Sequence, residues 1–75
     1  MATVFVLLVT DMGAETEVMT ELKTIVEIKE AHKIYGGYDI IARIEADTTE
    51  DLKNIISWKI RRLYKVQSTQ TMITY

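Results

Sequence analysis

Thr3-Val4-Phe5-Val6-Leu7-Leu8-Val9-Thr10 decides the fold. The run is rich in β-branched side chains and stops at Asp11-Met12-Gly13, a turn signal, so it reads as a strand. It does not alternate. Successive strand side chains point to opposite sides, so Val4, Val6 and Leu8 share one face while Phe5, Leu7 and Val9 share the other. A strand apolar on both faces must be covered on both.

Working outward, residues 14–25 predict a helix. Val18, Met19, Leu22, Ile25 and Val26 fall on one stripe at spacings of three and four, and Glu15 and Glu17 sit in the first turn, where negative charge suits the helix dipole. Residues 28–35 read as a second strand, carrying Lys29, Glu30, His32 and Lys33 as an edge strand does. Gly36-Gly37 then predicts a tight hairpin with positive φ angles. Residues 38–46 read as a third strand, with Ile40, Ala42 and Ile44 on one face and Ile41, Arg43 and Glu45 on the other. Thr48 and Asp51 form a capping-box-like start for a second helix over 49–64, with Leu52, Ile56, Ile60 and Leu63 as its core stripe and Ile55 at the flank. Residues 66–74 read as the last strand. The order β-α-β-β-α-β, two βαβ halves joined by a hairpin, gives an α+β, ferredoxin-like split sandwich: a four-stranded antiparallel sheet, two helices on one face, the first and third strands central.

Seventy-five residues make one domain, near the lower limit for folding without a metal or disulfides, and there is no cysteine to supply either. With 48% hydrophobic and 27% charged residues and no proline, disordered and low-complexity classes are excluded. The longest apolar run, Val4–Val9, is far short of the roughly 20 residues that span a bilayer, so no membrane partner is expected and a cytoplasmic setting is the default. A net charge of −2 without a basic block argues against free-standing nucleic-acid binding.

The helices cover one sheet face only, and no connection is long enough to cover the other. The open face, with Phe5, Leu7, Val9 and Ile41 or their opposite-parity neighbours, is therefore expected to pack on a second copy across a twofold axis, as a dimeric α/β barrel. Trp58 lies about 140° from the second helix's core stripe and suits either a dimer–dimer contact or plain exposure.

Chemistry-bearing constellations are few. His32 has no partner nearby except Glu30, and no histidine or cysteine shares a metal with it. Lys59, Arg61, Arg62 and Lys65 read as a solvated face at a helix end. Tyr35-Gly36-Gly37-Tyr38-Asp39 says more. Two glycines expose backbone N–H groups to a carboxylate, Asp39 offers a negative charge to an ammonium, and the tyrosines wall a side chain. The same residues also suit an ordinary hairpin.

The run from Ile28 to Ile44, through Tyr35-Gly36-Gly37-Tyr38-Asp39, resembles the signature of the effector-binding (RAM) domain of the Lrp/AsnC regulators, and Val66-Gln67-Ser68-Thr69-Gln70-Thr71-Met72-Ile73 resembles its last strand. The resemblance covers essentially the whole chain. It implies dimers joined through facing sheets, higher rings such as tetramers of dimers, and amino-acid effectors held between dimers near the glycine hairpin. Tyr35, Gly36, Gly37 and Asp39 would belong to that ligand site, with Ser68, Thr69, Gln70 and Thr71 as further contributors. Those regulators carry an N-terminal helix-turn-helix domain, whereas the first strand here begins at residue 3. The expectation is a stand-alone regulatory module, without catalysis, cofactor or DNA contact of its own, that senses an amino acid or co-assembles with full-length regulators. A small dimeric-barrel enzyme of monooxygenase or isomerase type, and a purely structural assembly partner, are the competing readings.

Overall fold

The computed structural model describes residues 2–73; Thr74, expected to end the last strand, lies outside them. The elements are β1 (Ala2–Thr10), α1 (Glu15–Leu22), β2 (Ile28–Lys33), β3 (Ile40–Ala46), α2 (Thr49–Ile55), which continues as a π-helical segment (Ile56–Ile60), and β4 (Val66–Ile73). The sheet order is β2-β3-β1-β4 with every neighbouring pair antiparallel, so the first and third strands are central, as expected.

Parity along β1 settles which face is covered. Val4, Val6 and Leu8 are sealed, together with Ile40, Ala42 and Ile44 of β3, beneath Val18 and Leu22 of α1 and Leu52, Ile55, Ile56 and Ile60 of the second helix. Burying each of the larger side chains contributes roughly 1.5–3 kcal/mol. Phe5, Leu7, Val9 and Ile41 are only half-buried on the opposite face. Cross-strand partners share a face, so this open face reads in rows: Glu30, Arg43, Phe5 and Met72, then His32, Ile41, Leu7 and Gln70. An apolar centre is thus flanked by the ion pairs Glu30–Arg43 (2.6 Å) and Arg43–Glu45 (3.2 Å).

The helices differ from the sequence expectation at their ends. α1 stops at Leu22 rather than continuing to 25. The Thr24 hydroxyl donates to the Glu21 carbonyl at 2.7 Å, giving the backbone an alternative to another helical turn. Val26, placed on the core stripe, is consequently 74% exposed, while Ile25 still packs against the core. At the second helix, Thr48 caps as expected, its Oγ1 accepting from the Asp51 N–H at 3.1 Å. The helix then widens. The Arg61 N–H reaches five residues back to the Ile56 carbonyl at 2.9 Å. Ile56 and Ile60 of this segment and Ile55 just before it all reach the core, so Ile55 is buried rather than flanking.

The connection between β1 and α1 is a tight turn. The Ala14 N–H donates to the Asp11 carbonyl at 3.0 Å, and Gly13 takes φ +80°, the value that favours glycine at the third turn position. No helix among the described residues is long and apolar enough to cross a membrane.

Candidate ligand site at the hairpin end

Three connections meet at one end of the sheet. The Asp39 N–H donates to the Leu8 carbonyl (2.8 Å), and the Asp11 N–H donates to the Lys65 carbonyl (2.9 Å). This brings the β2–β3 loop, the β1–α1 turn and the start of β4 around the last residues of β1.

The β2–β3 connection is wider than the tight hairpin expected from Gly36-Gly37. Both flanking strands are shorter than the sequence suggested, and the six residues from Ile34 to Asp39 span the gap, closed by the Ile34 N–H donating to the Asp39 carbonyl at 3.0 Å. Asp39 is tied on both sides, its carbonyl accepting from Ile34 and its N–H donating to the Leu8 carbonyl of β1. Only Gly36 of the two glycines has a positive φ, +121°.

Asp39 is half-buried. Its Oδ2 accepts the Thr10 N–H at 2.9 Å and lies 3.4 Å from the Thr10 hydroxyl. Thr10 is 5% exposed, so this carboxylate satisfies a backbone donor that would otherwise be buried without a partner. Oδ1 takes no hydrogen bond from the described residues.

Tyr35 and Asp39 line an open cleft of about 340 Å³ together with Glu15, Lys33 and Ile34. Gly36 and Gly37 sit exposed on the loop crest, and Tyr35 is fully exposed. Sequence reasoning missed Glu15 and Lys33. The pairing of Lys33 with Ile40 puts Lys33 on the helix side, where its Nζ donates to the Thr16 hydroxyl at 2.8 Å. Its place as the last residue of an alternating strand, and that of Glu15 in the first helical turn, were the available signals. The first turn of α1 also lacks a side-chain cap at Ala14.

The β4 residues are not brought to this cleft. Ser68 and Gln70 pair with Val9 and Leu7 and belong to the open face, whereas Thr69 and Thr71 pair with Leu8 and Val6 on the helix side. Ser68 and Thr69, with Arg61, Val66 and Gln67, line a second cleft of about 230 Å³. The pairing slips by one residue between Val9 and Thr10, leaving Gln67 as a bulge whose Nε2 donates to Asp11 Oδ1 at 2.9 Å. The eight expected site residues thus fall at the hairpin, at the second cleft and on the two faces of β4.

The other polar features pair locally. Lys59 holds Glu27 at 2.9 Å, and that hydrogen bond keeps the Glu27 carboxyl below the ordinary glutamate range. Lys65 bonds Glu17 at 2.5 Å, which raises the lysine's pKa. The hydrogen bond from Arg43 lowers the pKa of Glu30. His32 is exposed, with its Nε2 3.9 Å from Glu30. Trp58 is 66% exposed with the Arg62 guanidinium 5.4 Å from its ring centre. Among the described residues no three metal-ligating side chains converge.

The sheet with both helices on one face is a ferredoxin-like α+β sandwich. The chain belongs to the Lrp/AsnC ligand-binding domain family, whose model matches residues 3–75. A solved structure described as FFRP-DM1 is 47% identical, with the whole of both chains covered and a TM-score of 0.96. The regulatory protein AsnC of Haemophilus influenzae is 29% identical over 58 residues, which are 77% of this chain and 39% of that protein. The chain therefore spans about two fifths of that curated relative. E. coli AsnC, at 22% identity, shares the fold, with a TM-score of 0.92 over 97% of this chain and 50% of that one.

Proposed function

We propose that this chain is an amino-acid-responsive assembly module of the Lrp/AsnC regulatory system. Two copies pack through their open sheet faces, and an effector at the hairpin end favours one larger assembly, such as a ring of dimers, over another. The observation that carries this reading is the cleft beside Tyr35–Asp39, whose lining includes charges of both signs. A ligand shifts assembly only by the difference between its affinities for the two states, so a site at the edge of the molecule, where a second dimer can contribute to it, suits the role.

The apolar centre of the open face supports the dimer. Phe5, Leu7 and Ile41 lie side by side there, already half-buried, and covering the remainder of each contributes about half of the roughly 1.5–3 kcal/mol that full burial brings. Direct DNA contact is assigned to other chains: this one has a net charge of −2, and Lys59 and Lys65 are tied to its own glutamates. Full-length Lrp/AsnC-type regulators in the cytoplasm are natural co-assembly partners, because they present the same kind of sheet face.

Native mass spectrometry with and without the twenty L-amino acids tests the proposal. Dimers or their multiples, with at least one amino acid adding mass and changing the distribution, are expected. A monomer at all concentrations, or no response to any amino acid, overturns it.

A further inference from the structure

We propose that the hairpin-end cleft grips both ends of a zwitterion: the Lys33 ammonium takes the ligand's carboxylate and the Glu15 carboxylate takes its α-ammonium. Ile34 and the Tyr35 ring are left for the side chain, which selects a neutral, apolar amino acid. This assignment rests on the effector reading above and adds polarity and specificity to it.

Two opposite charges line one cleft without closing on each other. Lys33 and Glu15 make no ion pair, although other opposite charges on this small surface do: Arg43 with Glu30 and Glu45, Lys59 with Glu27, and Lys65 with Glu17. The Lys33 Nζ instead donates at 2.8 Å to the hydroxyl of Thr16, the residue next to Glu15. Two charges kept near but apart make a receptor for a molecule that carries the complementary pair. The Asp39 carboxylate, with Oδ2 committed to Thr10, also lines the cleft and adds a second negative charge to it.

Size and enclosure agree. A volume of about 340 Å³ lies at the small end of ligand pockets, which suits one amino acid better than a nucleotide or a peptide. The cleft is open to water, where each charge contact is weak. Covering it with a second molecule lowers the local dielectric and strengthens both contacts, which couples affinity to assembly. The fully exposed Tyr35 ring is placed to meet that cover.

Calorimetry on the full chain tests the assignment. The probes are L-leucine, L-methionine and L-phenylalanine, with 4-methylpentanoate (no ammonium) and 3-methylbutylamine (no carboxylate) as truncated analogues. Lys33→Met and Glu15→Gln are each expected to weaken the best-binding amino acid about 10- to 100-fold, the loss of one charge-assisted hydrogen bond. Neither analogue should approach the parent amino acid's affinity, and Lys33→Arg should retain most of it. Unchanged circular dichroism and thermal midpoints separate these losses from unfolding, and Glu15→Ala replaces Glu15→Gln should the latter fail to fold. If amino acids bind the variants within twofold of the parent, or if an analogue binds as well as leucine, the assignment is overturned and the effector reading survives. If none of the twenty amino acids binds, both fall.

Discussion

Replacing Asp39 by alanine tests whether the hairpin aspartate is a brace as well as a site residue. The side chain accepts the Thr10 N–H at 2.9 Å, and Thr10 is 5% exposed, so the substitution strands a buried donor. Hydrogen bonds to charged groups contribute roughly 1.5–3 kcal/mol, and the half-buried acceptor places this one near about 2 kcal/mol. The 3.4 Å contact to the Thr10 hydroxyl is too long to add much. Asp39→Asn keeps an acceptor oxygen and loses only the charge assistance, about 1 kcal/mol. With a urea m-value of about 1 kcal/mol/M for so small a chain, the midpoint should fall by about 2 M for alanine and about 1 M for asparagine. Urea titrations followed by circular dichroism measure this, at matched protein concentration because association shifts stability by mass action. An alanine variant within about 0.5 M of the parent, or an asparagine variant as damaged as alanine, would refute the brace.

Leu7→Asp puts a charge in the centre of the open face, beside Ile41 and Gln70, and should turn the associated protein into a monomer in analytical ultracentrifugation while the helix-side core stays intact. Gly36→Ala, at φ +121°, should cost about 1 kcal/mol or more in thermal or urea unfolding even though the space around it is open, whereas Gly37→Ala, with no positive φ, should be neutral or slightly stabilising. The Glu27 carboxyl is held below its ordinary range by the Lys59 hydrogen bond, so the stability it brings is present at neutral pH and is lost as pH falls through the lowered folded-state value. Thermal midpoints from about pH 7 to about pH 3 should therefore fall less steeply in Glu27→Gln, from a lower neutral starting point.

The sheet was legible because β1 is apolar on both sides and the β3 parity is unambiguous. Those two strands fix the centre, and the charges of β2 mark its edge. The helix ends were less legible. Periodicity assumes 3.6 residues per turn throughout, so it cannot register the π-helical turn over Ile56–Ile60, nor the Thr24 hydroxyl that competes for the Glu21 carbonyl. At the hairpin, the glycines were visible but the contacts of Asp39 with Leu8 and Thr10 were not, because they join residues far apart in the chain. Tyr35 and Asp39 could be found from the motif. Glu15 and Lys33 showed only their places in a first helical turn and at a strand end, and their convergence depends on α1 packing beside β2. The β4 residues were read as one group, yet strand alternation divides them between the two faces of the sheet.

Val9 and Thr10 are consecutive in β1 and look out on opposite sides of the sheet. Thr10 is clasped by the hairpin loop through Asp39, while Val9 belongs to the bare apolar side. Under the proposed function, an effector that shifts the loop would act on the strand one peptide bond from the face expected to meet a twin. Such a coupling would need no relay of repacked side chains across the interior, because the two contact points are adjacent beads on a single thread.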